Sequence, residues 1–354
     1  MHGVRRSRES REAREARRQR EQEELNTYLS LQEDILSRKK DKDWSKDAFD
    51  LTTRMLNKNP EFYTVWNYRR LILLNNIFRN SSPHEKIDIL ANELVMTISA
   101  LKVHPKVYWI WNHRRWCLEN IPEGGDDDDM QGWRKTCWKR ELYLVEQMLD
   151  ADPRNFHAWD YRRYVLSSMP IQRPETAELA YTTKKIESDF SNFSAWHQRT
   201  KVLPRLWESG KLDKAQSLQQ EFVLVQNAMW ADPDDQSVWL YHRWLIGSGD
   251  DYDSLTREIK GIHELLEEQP DSKCMFSPIL ATLNLTNACV SGCMETLVHY
   301  KRLLIRSHTS RLGPEGTQIL REECLGLLKQ LEELDPLRRQ RYRDLGALRR
   351  RHCQ

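Results

Sequence analysis

The feature that most constrains the fold is a short pattern that recurs five times: a proline, five residues, a tryptophan, then a polar helix rich in Arg. The tryptophans are Trp66, Trp111, Trp159, Trp196 and Trp239. One signature roughly every 35–50 residues marks an array of helical hairpins. Six residues before each Trp stand Pro60, Pro105, Pro153 and Pro233, with Phe190 in the fourth copy. Asn59, His104, Asp152 or Asp232 precedes the proline, which reads as a helix N-cap with Pro in the first turn. Seven residues after each Trp comes Leu73, Leu118, Leu166, Leu203 or Ile246, on the same helical face as the indole. Between them are Arg69, Arg114, Arg162 and Arg199, replaced in the fifth copy by His242 and Arg243.

Upstream of the proline slot, Glu93, Glu141, Glu178 and Glu221 share one offset, and Leu56, Leu101, Leu149, Ile186 and Met229 share another. Each repeat therefore reads as a hairpin, with helix A ending near the proline and helix B carrying the Trp. Such hairpins cannot bury their apolar faces alone. The expected fold is all-α, an α-α superhelix (solenoid) of stacked, tetratricopeptide-like hairpins. The Glu of helix A is expected to pair with an Arg of helix B, within or between repeats. The Trp and Arg ladders read as architecture, the indole filling a layer and Arg reaching from it to a carboxylate.

The chain divides on this reading into a charged helix or tail over 1–24, five repeats over 25–250, and degenerate helical repeats with a C-terminal cap over 251–354. Within the last part the pattern fades until Asp335-Pro336, with Tyr342 in the Trp position, suggests a sixth repeat. Gly313-Pro314-Glu315-Gly316 reads as a turn. Both ends are Arg-rich, which leaves the stretch between them acidic; solvated helix is favoured over a nucleic-acid contact. The run Asp126 to Asp129 lacks the alternating spacing of a calcium loop. Seven cysteines without a CxxC pair, no apolar h-region and no apolar run of membrane length point to a reduced, cytoplasmic protein. The chain has no P-loop, GxGxxG, HExxH, metal-binding Cys/His cluster or nucleophile elbow, so spacing alone gives a scaffold.

The strings Asn155-Phe156-His157-Ala158-Trp159, Phe193-Ser194-Ala195-Trp196-His197-Gln198-Arg199 and Asp234-Asp235-Gln236-Ser237-Val238-Trp239 resemble the repeats of protein prenyltransferase α-subunits. The opening Met1-His2-Gly3, the segment Asp232-Pro233-Asp234-Asp235-Gln236-Ser237 and the segment Leu334-Asp335-Pro336-Leu337-Arg338 are similar to the geranylgeranyltransferase type II (Rab) branch, in its compact fungal form. Trp109 stands where farnesyltransferase α-subunits carry a Gln that touches the substrate carboxylate. The resemblance implies an obligate α/β heterodimer, with this chain as a crescent around a β-subunit barrel. Zinc and most of the isoprenoid pocket are expected on β, with no cofactor or metal bound by this chain. The implied reaction moves geranylgeranyl from geranylgeranyl diphosphate to C-terminal cysteines of Rab GTPases, presented by a Rab escort protein.

Residue by residue, the resemblance maps catalytic contacts to Lys106 and Tyr108 and substrate-proximal ones to Asn155, His157 and Tyr63. His2 is also a candidate autoinhibitory ligand of the zinc expected on β. Spacing alone leaves Lys106 a solvated lysine and His157 a capping or packed histidine. Two other readings fit the sequence: a helical-repeat adaptor of the RNA-processing type, and the α-subunit shared by farnesyltransferase and geranylgeranyltransferase type I.

Overall fold

The structure, a computed structural model, describes residues 10–123, 128–268 and 288–347, and every regular element among them is helical. The chain divides into two compact units, Met1–Gln172 and Arg173–Gln354. The first holds α1 (Arg11–Lys40), α2 (Lys46–Lys58), α3 (Tyr63–Ile72), α4 (Pro83–Val103), α5 (Tyr108–Glu119), α6 (Asp128–Ala151) and α7 (Phe156–Ser168). The second holds α8 (Glu175–Ser188), α9 (Phe193–Glu208), α10 (Lys214–Ala231), α11 (Gln236–Ile246), α12 (Tyr252–Glu268), α13 (Ala288–Ser307), α14 (Thr309–Leu334) and α15 (Arg339–Ala347). His2 lies outside the described residues, as do Asp126 and Asp127; α6 begins at Asp128.

The repeat tryptophans are buried, and each indole N–H has the same acceptor. Trp66 Nε1 donates to the Pro60 carbonyl at 2.8 Å, Trp111 to Pro105 at 2.9 Å, Trp159 to Pro153 at 2.8 Å and Trp239 to Pro233 at 2.8 Å. Trp196 donates to the carbonyl of Phe190 at 2.7 Å. The slot supplies a carbonyl rather than a ring, which is why Phe190 is tolerated there. A buried indole needs this partner, because an unpaired buried N–H costs about 1–3 kcal/mol.

The expected N-caps are corrected. Asn59, His104 and Asp232 are C-caps of α2, α4 and α10, and the B helices begin four residues further on. Asn59, Asp152, Asp189 and Asp232 instead accept from the backbone N–H two residues ahead, an Asx turn between the two helices of the hairpin. Proline pre-sets the backbone of that turn.

The Glu–Arg pairs form, and in the pairs described they run between repeats. Arg69 Nη2 lies 2.6 Å from Glu93 Oε1, Arg114 Nε 3.1 Å from Glu141 Oε2 and Arg199 Nη2 2.6 Å from Glu221 Oε1. In the fifth copy His242 Nε2 is 3.0 Å from Glu258 Oε2. The same Arg bonds back to helix A of its own repeat, at Thr52, Thr97 or Thr182; in repeat three Arg162 reaches Glu146 instead. Each Glu also takes a bond from the residue two after the next Trp: His113, Tyr161, Gln198 and Tyr241.

The ladder continues where the tryptophans stop. α12 and α13 form a hairpin in which Tyr300 bonds His242 Nδ1 at 2.6 Å, and Lys301 Nζ reaches Glu323 Oε2 on α14 at 2.7 Å. Val298, Tyr300 and Lys301 thus hold the Trp, Trp+2 and Trp+3 positions of a sixth repeat. The hairpin marked by Tyr342 is therefore the seventh: α14 and α15, with Tyr342 in a core of Val298, Leu328 and Leu331. Its hydroxyl donates to Glu295 at 2.8 Å. Gly313 turns the chain at φ 66° before Pro314 restarts the helix, so the turn expected there is a break within α14.

Candidate functional site

In the first unit the N-termini of the B helices carry an exposed aromatic row. Tyr63 opens α3, Tyr108 opens α5 and Phe156 opens α7, each three residues before its Trp and each half or more exposed. Their rings form a continuous path. Tyr63 and Trp109 have centroids 5.3 Å apart, Trp109 and Tyr108 5.2 Å, Tyr108 and His157 6.3 Å, and His157 and Phe156 4.0 Å. Large aromatics left facing solvent in a row call for something to cover them.

Lys106 stands beside this path, one residue before the cap of α5. Its ammonium lies 3.3 Å from Asp152 Oδ2, but the side chain is 70% exposed. Such a pair is worth at most about 1 kcal/mol, so the charge is free to turn to a stronger anion. The α5 N-terminus has Val107 at its cap and no side-chain acceptor there. Its first-turn N–H groups and dipole add to the positive field around Lys106.

His157 is half-buried on the other side of Tyr108. Burial pushes its imidazole below the ordinary pKa, against the pull of Asp160 and Glu61 and with help from Lys106. It is a neutral imidazole at pH 7, a hydrogen-bonding group rather than a second cation.

Asn155, expected beside the diphosphate, is buried, and its amide is spent inside the fold. Its Oδ1 accepts from the His157 and Ala158 backbone, capping α7, and its Nδ2 donates to the Pro105 carbonyl at 3.1 Å. That carbonyl also holds Trp111. Asn155 therefore ties the loop that carries Lys106 to the helix that carries His157.

The structure thus brings Lys106, Tyr108 and His157 together, joins Tyr63 to them through Trp109, and turns Asn155 inward. Phe156 was not singled out from the sequence. Its signal was the aromatic at the same offset in four repeats, Tyr63, Tyr108, Phe156 and Phe193. Among the described residues no group of three His, Cys, Asp or Glu could hold a metal ion, and no helix is long and apolar enough to cross a membrane.

Comparison with known proteins bears on this arrangement. The protein prenyltransferase alpha subunit repeat matches residues 45–76, 90–121, 138–169, 176–206 and 218–248. The chain is 38% identical to the geranylgeranyl transferase type-2 subunit alpha of Schizosaccharomyces pombe, over 98% of this chain and 97% of that protein. It is 33% identical to the protein of the same name from Candida albicans, over 97% and 96%. The Homo sapiens protein of that name is 38% identical over 66% of this chain and 39% of its own length. Five hairpins with a buried Trp at one offset, matched from end to end in two fungal relatives, place this chain in the protein prenyltransferase α-subunit family, among the geranylgeranyl transferase type-2 alpha subunits.

Proposed function

We propose that the chain is the α-subunit of a Rab geranylgeranyltransferase and works in the cytoplasm as an α/β heterodimer. The full-length likeness to type-2 alpha subunits carries this reading, and the exposed cationic and aromatic row on the first unit agrees with it. The reaction joins a Rab C-terminal cysteine sulfur to C1 of geranylgeranyl diphosphate. The C1–O bond breaks, and inorganic diphosphate leaves with the bonding pair. A zinc ion on the β-subunit supplies a thiolate at neutral pH, and a Rab escort protein presents the acceptor.

This chain's residues act on the leaving group. Negative charge grows on the diphosphate as C1–O lengthens, and fixed donors that meet it lower the barrier. Lys106 gives up its weak contact with Asp152 and turns its ammonium to the diphosphate oxygens. The Tyr108 hydroxyl and the neutral His157 donate beside it, and Asn155 holds the two loops in register. Tyr63 and Trp109 present aromatic faces, not an amide, to the acceptor side. That suits a tail held by the escort protein rather than by its own terminal carboxylate.

The test is co-expression with a candidate β-subunit. A one-to-one complex with one zinc that transfers geranylgeranyl to a Rab–escort complex is the expected result. A complex that prenylates only short carboxylate-terminated peptides with farnesyl would overturn the assignment.

A further inference from the structure

α1 is the longest of the described helices, and it carries two apolar stripes of which the fold uses one. Leu31 and Ile35 are buried where α1 meets α2, and Asn59 donates to the Tyr28 hydroxyl on the same side at 2.9 Å. Leu25, Leu29 and Leu36 lie on another face and are 47%, 49% and 37% exposed. With Gln32 they follow one another at intervals of four, three and four residues. That is the spacing of a coiled-coil seam, which fits a second helix rather than a flat surface. Every residue from 11 to 27 is exposed, so the N-terminal half of α1 gains little from the body of its own chain.

The charges on either side of the seam select the second helix. Glu21, Glu23 and Glu24 form an acidic run before it, and Arg38, Lys39 and Lys40 a basic run after it. Outside the acidic run stand Arg17, Arg18 and Arg20, and outside the basic run Asp41 and Asp43. A basic last turn is ordinary at a helix C-terminus; an acidic run in mid-helix has no such cause. Two copies of α1 can be set antiparallel, with Leu25 level with the partner's Leu36 and Leu29 level with the partner's Gln32. Both blocks then meet their opposites. Glu21 comes level with the partner's Lys40, and Arg18 with the partner's Asp43. Set parallel and in register, each block would meet itself. Arg17 holds Glu21 at 3.4 Å, and Arg38 holds Asp34 and Asp43 at 2.8 and 2.9 Å, all at the surface. Such exposed pairs are worth at most about 1 kcal/mol and do not compete strongly with contacts across a seam.

We propose that α1 pairs antiparallel with α1 of a second copy of this chain, with Leu25, Leu29, Gln32 and Leu36 as the seam. The contact is isologous and closes at two copies. Gln32, polar among leucines, fixes the register. The pairing lies on the first unit and does not depend on the prenyl-transfer reading.

The experiment is sedimentation equilibrium of the full chain from about 1 to 100 μM, with cross-linking of engineered cysteines. The mass is expected to rise with concentration to twice that of one chain. Leu29→Glu is expected to weaken this association at least about tenfold. Its circular dichroism should match wild type, since Leu29 is exposed. A chain carrying both Leu25→Cys and Leu36→Cys is expected to form a covalent dimer with a short bis-maleimide, above the wild-type background. Either cysteine alone should stay at that background, because antiparallel pairing holds the two copies of one position about 17 Å apart along the helix. A single mass throughout the range would overturn the proposal. So would association that Leu29→Glu leaves unchanged, which would come from another face, or a single-cysteine variant that cross-links as readily as the pair.

Discussion

At the scale of single residues, Lys106 is a loosely held charge. An exposed pair with Asp152 costs little to break, so the lysine's worth lies in what it meets when a diphosphate is present. Lys106→Ala is expected to slow single-turnover geranylgeranyl transfer by about 10²-fold, with a much smaller change in affinity for the diphosphate substrate. Rapid-quench measurements on the assembled heterodimer would read both, and a rate within about twofold of wild type would remove Lys106 from the transition state. Lys106, Tyr108 and His157 were legible only through resemblance, since a lysine after a proline has no spacing that marks it. The inward turn of Asn155 was not legible at all. It is decided by the Pro105 carbonyl fifty residues away in sequence. The ladder partners two residues after the Trp were hidden for another reason: His113, Tyr161, Gln198 and Tyr241 all donate to a Glu, so no single letter repeats.

At the scale of the element, the hairpin was legible because one large residue needs one carbonyl at a fixed offset. The start of helix B was misread because Asn and Asp serve an Asx turn and an N-cap by the same side-chain acceptance. What joins one hairpin to the next within a unit is the buried carboxylate. Glu141 on α6 takes Arg114 from α5 and the Tyr161 hydroxyl from α7, the latter at 2.6 Å, and all three side chains are buried. Glu141→Ala leaves the Arg114 guanidinium charged and unpaired in the core, at a cost of about 3–5 kcal/mol. A lowered urea midpoint would report it. Replacing Arg114 and Glu141 together by Leu should recover most of that loss, because the desolvation of both charges disappears with them. If the single variant melts like wild type, the carboxylate ladder is decoration and the indole layer alone carries the stacking.

At the scale of the whole molecule, the repeat of Val298, Tyr300 and Lys301 escaped the sequence because its tryptophan is gone while its ladder survives in other letters, Lys301 with Glu323; the hairpin of Tyr342 was legible from Asp335-Pro336 but counted one repeat too early. The ladder also sets how the chain responds to acid, and repeat two shows the sign. His113 is fully buried, and burial, only partly offset by Glu93, lowers its imidazole to about 4. Burial would raise Glu93, but the bonds from Arg69 and His113 win and hold it at about 2. Between pH 6.5 and 4 the unfolded chain binds a proton at His113 that the folded chain refuses, so stability falls as pH falls through that window, by up to about 1.4 kcal/mol per pH unit. The stability from Glu93 is whole above pH 4.5 and is lost as pH drops toward 2. Repeat four already uses Gln198 where repeat two has His113, with its amide on Glu178 at 3.2 Å. His113→Gln should therefore keep the bond to Glu93 and remove the titration. Urea midpoints taken from pH 7 to 3 are expected to fall less steeply between pH 6.5 and 4.5 in this variant than in wild type, with His157, His263 and His299, each also lowered by burial, still contributing to the slope, and to fall further below pH 4.5, where Glu93 protonates. If the variant loses stability between pH 6.5 and 4.5 as steeply as wild type, the acid sensitivity lies in another group and the His113–Glu93 joint is not what titrates.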